Sequence, residues 1–183
     1  ELVSDEADIY SVDIITKALK QISDEVGAER SPSISPNGKM IAYSFEERRP
    51  LAYSPNQVAI MDINGNNKRI ISKGLDGDAD NLQWSDDNRS IFFSYDQRGI
   101  RKIGQLMLNG EIKNITNGLG GTTLGRPYLS GSYHHSAQNI AFTYGGGNRP
   151  ADVAVLMDGK VNVLTKLNND LLDQLKLGDI NEL

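Results

Sequence analysis

SISPNGKMIAYSF, residues 33–45, is the stretch on which the fold reading turns. A short apolar start meets the turn Ser35-Pro36-Asn37-Gly38, and a β-rich run from Met40 to Phe45 follows. Pro36 presets the φ wanted at the second position of such a turn, and Gly38 takes φ > 0 at no steric cost. The pattern returns as QWSDDNRSIFFSY, residues 83–95. There Trp84 replaces Ile34, Ser85-Asp86-Asp87-Asn88 replaces the turn, and Ile91-Phe92-Phe93-Ser94 replaces Ile41-Ala42-Tyr43-Ser44. A degraded third copy is HSAQNIAFTY, residues 135–144. Ile41, Ile91 and Ile140 recur at steps of 50 and 49 residues, a period that signals stacked repeat units.

Working outward, strand-like alternation falls at 9–13 and 18–22, before the first copy. Residues 26–30 read as a loop, and 46–55 as a polar, Pro-bearing loop. Strands are expected at 58–63 and 68–72 around Asn64-Gly65, a pair suited to a type I′ hairpin turn. The second cycle places strands at 82–84, 90–95, 104–108 and 111–115, with Asn109-Gly110 between the last two. The third places them at 126–129, 139–144, 152–156 and 160–164, with Asp158-Gly159 as the last turn. Four short strands joined by tight turns make one antiparallel meander, and successive meanders of this length read as propeller blades. The expectation is an all-β chain, a partial β-propeller of about three and a half four-stranded antiparallel blades. Its divisions are a half blade at 1–30, blades at 31–74, 75–118 and 119–167, and a tail at 168–183. In that tail Leu171, Leu172, Leu175 and Leu177 have rough helical spacing, which suggests a helical turn packed on the last blade.

Closed propellers usually need four to eight blades, so the half blade lacks partners. Either further sequence belongs to the ring, or two copies close it as a homodimer, or the tail covers the gap. Bulk properties narrow the partners. A net charge of −5 and a pI near 5.0 argue against nucleic acid. No apolar run is long enough to insert into a bilayer. There is no cysteine, so disulfides and thiolate metal sites are excluded and the redox compartment stays open. No leader is evident, and a chain beginning at Glu1 reads as processed or truncated.

The third cycle carries a more specific signal. Gly125-Arg126-Pro127-Tyr128-Leu129-Ser130-Gly131-Ser132, Ile140-Ala141-Phe142-Thr143-Tyr144, Asn148-Arg149-Pro150-Ala151-Asp152-Val153 and Leu164-Thr165-Lys166-Leu167-Asn168-Asn169-Asp170-Leu171-Leu172 follow in this order. Together they resemble the last propeller blades of prolyl-oligopeptidase-family serine peptidases, especially the bacterial dipeptidyl-aminopeptidase or acylaminoacyl-peptidase-like branch. The resemblance implies that 168–183 leads toward an α/β-hydrolase domain bearing a Ser-His-Asp triad. It also implies a propeller that gates that domain and selects short peptide substrates. No Ser here has Gly two residues before and two after, so the nucleophile elbow is missing and no catalytic residue is assigned. By itself the chain is expected to lack peptidase activity. No cofactor is implied, and a periplasmic or secreted location is expected over a cytoplasmic one. The alternative resemblance is to a non-enzymatic, Tol-type protein-binding propeller, which shares the Ser-Pro-Asn-Gly type of repeat.

Three groups are candidates for chemistry. Arg149 follows a run of three glycines, Gly145-Gly146-Gly147, which lets backbone bend sharply or approach a ligand, and its guanidinium is suited to a peptide carboxylate. Glu46 and Glu47 form an acidic pair near a blade edge, read either as a substrate-amine contact or as a solvated loop. Asp76, Asp78 and Asp80 alternate as a calcium loop does, but Asn81 and Asp87 stand where that loop needs Gly and Glu. They read better as an inter-blade loop. His134 and His135 are adjacent, so on a strand they point to opposite faces and do not share one ion. No metal site is assigned.

Overall fold

The computed structural model describes residues 6–48, 54–121, 130–146, 149–176 and 178. Its strands form one two-stranded sheet and three four-stranded sheets. The two-stranded sheet pairs β1 (Tyr10–Val12) with β2 (Leu19–Gln21). The next sheet runs in chain order through β3 (Gly27–Ile34), β4 (Met40–Glu47), β5 (Gln57–Asp62) and β6 (Arg69–Ile70). Then come β7 (Ala79–Trp84), β8 (Ser90–Gln97), β9 (Ile100–Met107) and β10 (Ile112–Asn117). The last sheet holds β11 (Tyr133–Ser136), β12 (Asn139–Gly146), β13 (Arg149–Met157) and β14 (Lys160–Val163). Each sheet is a meander, with every strand bonded to its sequence neighbour.

The repeated turn explains why the first two four-stranded sheets look alike. Ser35 O accepts from Gly38 N at 2.8 Å, and Ser85 O accepts from Asn88 N at 3.0 Å. Gly38 has φ +70° and Asn88 φ +61°, so Asn88 occupies the left-handed position that glycine fills in the first copy. Asn37 Oδ1 accepts from Lys39 N at 3.1 Å, and Asp87 Oδ1 accepts from Arg89 N at 3.0 Å. In both copies the serine oxygen accepts from the strand that follows, from Met40 N at 2.9 Å and from Ser90 N at 3.0 Å. The copies also touch: Asn37 N donates to Asn88 Oδ1 at 2.9 Å, and Trp84 Nε1 donates to Ser33 O at 2.9 Å.

Several local expectations need correction. Residues 26–30 are not a loop: β3 begins at Gly27 and pairs with β4, Gly27 opposite Glu47 and Ala28 opposite Glu46. Their charges and Pro32 hid the strand. Pro32 lies where the register shifts between Arg30 and Ser33, beside Ser31 at φ +53°, so no ladder bond needs its missing N–H. Glu46 and Glu47 accordingly end a strand rather than lie in a loop. Asp80 and Asn81 lie on β7 rather than in an inter-blade loop. The expected strand at 126–129 lies outside the described residues, and the first described strand of the last sheet is β11.

The hairpin turns divide into two kinds. Asp158 and Gly159 both have positive φ, +49° and +72°, between Met157 and its partner Lys160, as in a type I′ turn. At Asn64-Gly65 and Asn109-Gly110 only the glycine is positive, +89° and +94°. There Asp62 N donates to Asn66 O and Met107 N to Glu111 O, both at 2.8 Å, closing three-residue loops with glycine at the bulge position. Arg98-Gly99, at φ +52° and +70°, makes a further tight turn between β8 and β9.

By its contacts the chain forms two compact units, Glu1–Phe93 with Gln105–Lys113, and Ser94–Gly104 with Asn114–Leu183. In the first, Ile9 packs with Ile41, Tyr43, Phe45, Ala59 and Met61, and Ile22 lies against them. In the second, Ile140, Phe142, Ala151 and Ala154 are buried along β12 and β13. The tail forms α1 (Asn169–Leu172), a single turn that buries no residue. The expected helical turn on the last blade is thus present and tied to β13 by the bond from Arg149 to Asn169, but not through its leucines: Leu171 and Leu175 are more than half exposed, and Leu177 lies outside the described residues.

Candidate functional site

The second unit holds a pocket where β12 and β13 meet the chain leaving β14. It begins with glycine. Tyr144, Gly145 and Gly146 end β12, and the pairing with β13 shifts register between Tyr144 and Gly146. Gly120 N donates to Thr143 O at 2.9 Å, and Gly145 N donates to Gly118 O at 3.1 Å. A Cβ on Gly120 would sit 2.6 Å from the Gly145 Cα. So the glycines here admit a second backbone beside β12, the close approach that their composition predicted but with chain as the neighbour. Gly147 and Asn148 lie outside the described residues.

Arg149 opens β13 and is tied down on two sides. Its Nε donates to Asp152 Oδ2 at 3.2 Å, and its Nη2 donates to Asn169 Oδ1 at the start of α1. The Asp152 side chain is 4% exposed. Its other oxygen, Oδ1, accepts from Thr165 Oγ1 at 2.9 Å and from Leu167 N at 2.8 Å. The Leu167 amide, then the Thr165 hydroxyl and the Arg149 guanidinium, hold this carboxyl below the usual range against its burial. Asp152 thus fastens the chain after β14 onto β13. Tyr144, Gly145, Gly146, Val163 and Lys166 complete the lining, around a volume of about 410 Å³. That is within the range of small-ligand pockets.

The other candidates are held elsewhere. Glu46, in the first unit, pairs with Arg30 at 3.5 Å, both side chains about two-fifths exposed. Glu47 lies next to it, opposite Gly27. Asp78 Oδ1 caps the backbone by accepting from Asn56 N at 2.7 Å. His134 and His135 sit on β11 opposite Ala141 and Ile140. Among the described residues no three His, Asp or Glu side chains converge as a metal site would require. No described helix is long and apolar enough to cross a membrane.

Residue types alone singled out Arg149 but missed its network. Asp152, Thr165 and Asn169 are separated from it by 3, 16 and 20 positions, and only the β13–β14 hairpin brings them together. The signal available was indirect: Asn-Arg-Pro-Ala-Asp and Leu-Thr-Lys-Leu-Asn-Asn were already two of the family-like stretches.

No family model matches the chain. Dipeptidyl-peptidase 5 of Porphyromonas gingivalis is 25% identical over 118 residues, 63% of this chain but 17% of that protein's length. TolB from Acinetobacter baumannii superposes with a TM-score of 0.62 at 22% identity, over 86% of this chain and 37% of its own. Puromycin hydrolase gives 0.62 at 16% identity, over 83% of this chain and 24% of its own. The β-propeller domain of the Trilobed protease from Pyrococcus furiosus gives 0.56 at 15% identity, over 86% and 48%. The chain thus spans well under two thirds of each of these proteins. The fold is a set of β-propeller blades, similar to TolB, to puromycin hydrolase and to the β-propeller domain of the Trilobed protease.

Proposed function

We propose that this chain is propeller from a prolyl-oligopeptidase-like serine peptidase, where it gates a hydrolase domain and selects short peptides. The similarity to dipeptidyl-peptidase 5 over 118 residues carries the reading, because it is a likeness of sequence and not of shape alone. The structural likeness to puromycin hydrolase is consistent with it. The hydrolase domain would supply the triad, since these 183 residues hold no nucleophile elbow. A second reading, a non-enzymatic protein-binding propeller, has its own support in the TM-score of 0.62 to TolB.

One experiment separates the two. An antibody raised against this chain isolates the native polypeptide that contains it, which is then treated with a fluorophosphonate serine probe and with dipeptidyl-aminomethylcoumarin substrates. A labelled polypeptide that releases the fluorophore is the expected result. A polypeptide with neither label nor activity, co-purifying with a protein partner, would replace the first reading with the second.

A further inference from the structure

We propose that the pocket at the base of β13 binds a carboxylate carried next to an apolar or aromatic group, such as the C-terminal end of a peptide. The argument is an account of donors and acceptors. Both Asp152 oxygens are engaged, Oδ1 by Thr165 and Leu167 and Oδ2 by Arg149. The Asn169 Oδ1 is taken by Arg149 Nη2. What the pocket still offers is donors. Arg149 Nη1 meets no acceptor among the described residues, and the Arg149 side chain is 35% exposed. Lys166, an exposed residue, lines the same cavity, and its ammonium has no described partner.

Two cations against one carboxylate leave the lining net positive, in a chain whose net charge is −5. Arg149 is also preorganised: Asp152 and Asn169 fix the plane of its guanidinium, so little rotamer freedom is lost when Nη1 meets a ligand. Tyr144 and Val163 line the same pocket and supply apolar surface. Phe142 meets the Tyr144 ring edge-on, with centroids 6.0 Å apart, and so helps to set its orientation. A volume of about 410 Å³ accommodates one side chain with its carboxylate. This binding does not depend on the peptidase reading and is measured on the chain alone.

Acetyl-alanyl-phenylalanine and its C-terminal amide are titrated into the ¹⁵N-labelled chain and followed by amide shifts. The acid is expected to bind saturably, with shifts centred on Gly145, Gly146 and Lys166, and the amide about tenfold more weakly. Lys166→Gln, which removes no described contact, is expected to weaken the acid about threefold and leave the amide unchanged. Arg149→Gln is expected to shrink the difference between acid and amide to about threefold, the share left to Lys166. Equal binding of acid and amide to the unaltered chain, or no saturation by about 10 mM, overturns the proposal. Acid shifts that lie away from these residues overturn it as well.

Discussion

Glu29 lies on β3, between Ala28 and Arg30. Residues 26–30 read as a loop, yet Glu29 is 2% exposed, and among the described residues neither carboxylate oxygen has a hydrogen-bond partner. Burial pushes its carboxyl up, opposed only in part by the Ser23 hydroxyl and the Lys68 ammonium. The sign of the consequence is unusual for an acid. A raised pKa in the folded state means stability that is complete below the unfolded value of about 4.3 and is lost as pH rises through the folded value. Glu29→Gln is therefore expected to raise the melting temperature at pH 7 by a few degrees, on the order of 1–2 kcal/mol, by removing a buried charge. The gain should shrink as pH falls, because the raised carboxyl takes up its proton sooner in the folded chain than in the unfolded one, and a gain that grows on acidification would contradict this account. Asp152 runs the other way. Its carboxyl is lowered, so its stabilisation is present above about 3.9 and lost as pH falls through the folded value. Asp152→Ala is expected to cost about 2 kcal/mol and to expose the chain after Val163 to limited proteolysis at neutral pH. Neither burial was legible in the sequence, because each is set by strands distant in the chain.

At the scale of elements the turns were more legible than the strand ends. Gly38, Gly65, Gly110 and Gly159 all have positive φ and all lie where turn chemistry predicted. Turn type was not legible at Asn64 and Asn109, since Asn-Gly suits both a type I′ pair and a three-residue loop. Which one forms depends on strand register, fixed here by Asp62 meeting Asn66 and Met107 meeting Glu111. Similar φ values also conceal unequal surroundings. A Cβ on Gly38 would meet nothing within 4 Å, whereas one on Gly65 would lie 2.2 Å from the Ile22 carbonyl oxygen. Gly38→Ala is thus expected to cost only the left-handed backbone term, about 1 kcal/mol. Gly65→Ala adds a backbone clash and is expected to cost about 3 kcal/mol or more, because the loop or the Ile22 segment must move. Urea unfolding of the two variants tests the difference, and equal midpoints would show that the Gly65 loop yields freely.

At the scale of the whole molecule the repeat made the architecture readable, while the coverage of its surfaces stayed illegible. Three copies of one pattern define three meanders, but a pattern says nothing about what lies on the faces it leaves. On the hairpin of β1 and β2, Val12 pairs with Leu19, and these residues are 57% and 68% exposed. Tyr10 lies at 50%, and Ile14 and Ile15 at the tip reach 80% and 85%. The base of the hairpin reaches the core, where Ile9 packs with Ile41 and Met61 and Ile22 lies against them. Two forces then compete when copies of the chain meet. Burying these side chains is favourable by about 25 cal/mol for each Å² removed from water. The net charge of −5 opposes the encounter at pH 7, and that opposition is screened within about 10 Å at 0.1 M salt. Concentration-dependent self-association is therefore expected, strongest near the pI of about 5.0 and in high salt, and weakest at pH 8 in low salt. Light scattering reads it directly as departure from the chain mass of 20.1 kDa. The double variant Ile14→Lys, Ile15→Glu leaves net charge unchanged and touches no buried residue, so it should restore the single-chain mass under the associating conditions. If it associates as strongly as the unaltered chain, the hairpin is not the adhesive face. If the unaltered chain stays at 20.1 kDa at every pH and salt, the bare apolar tip is tolerated and the expectation fails.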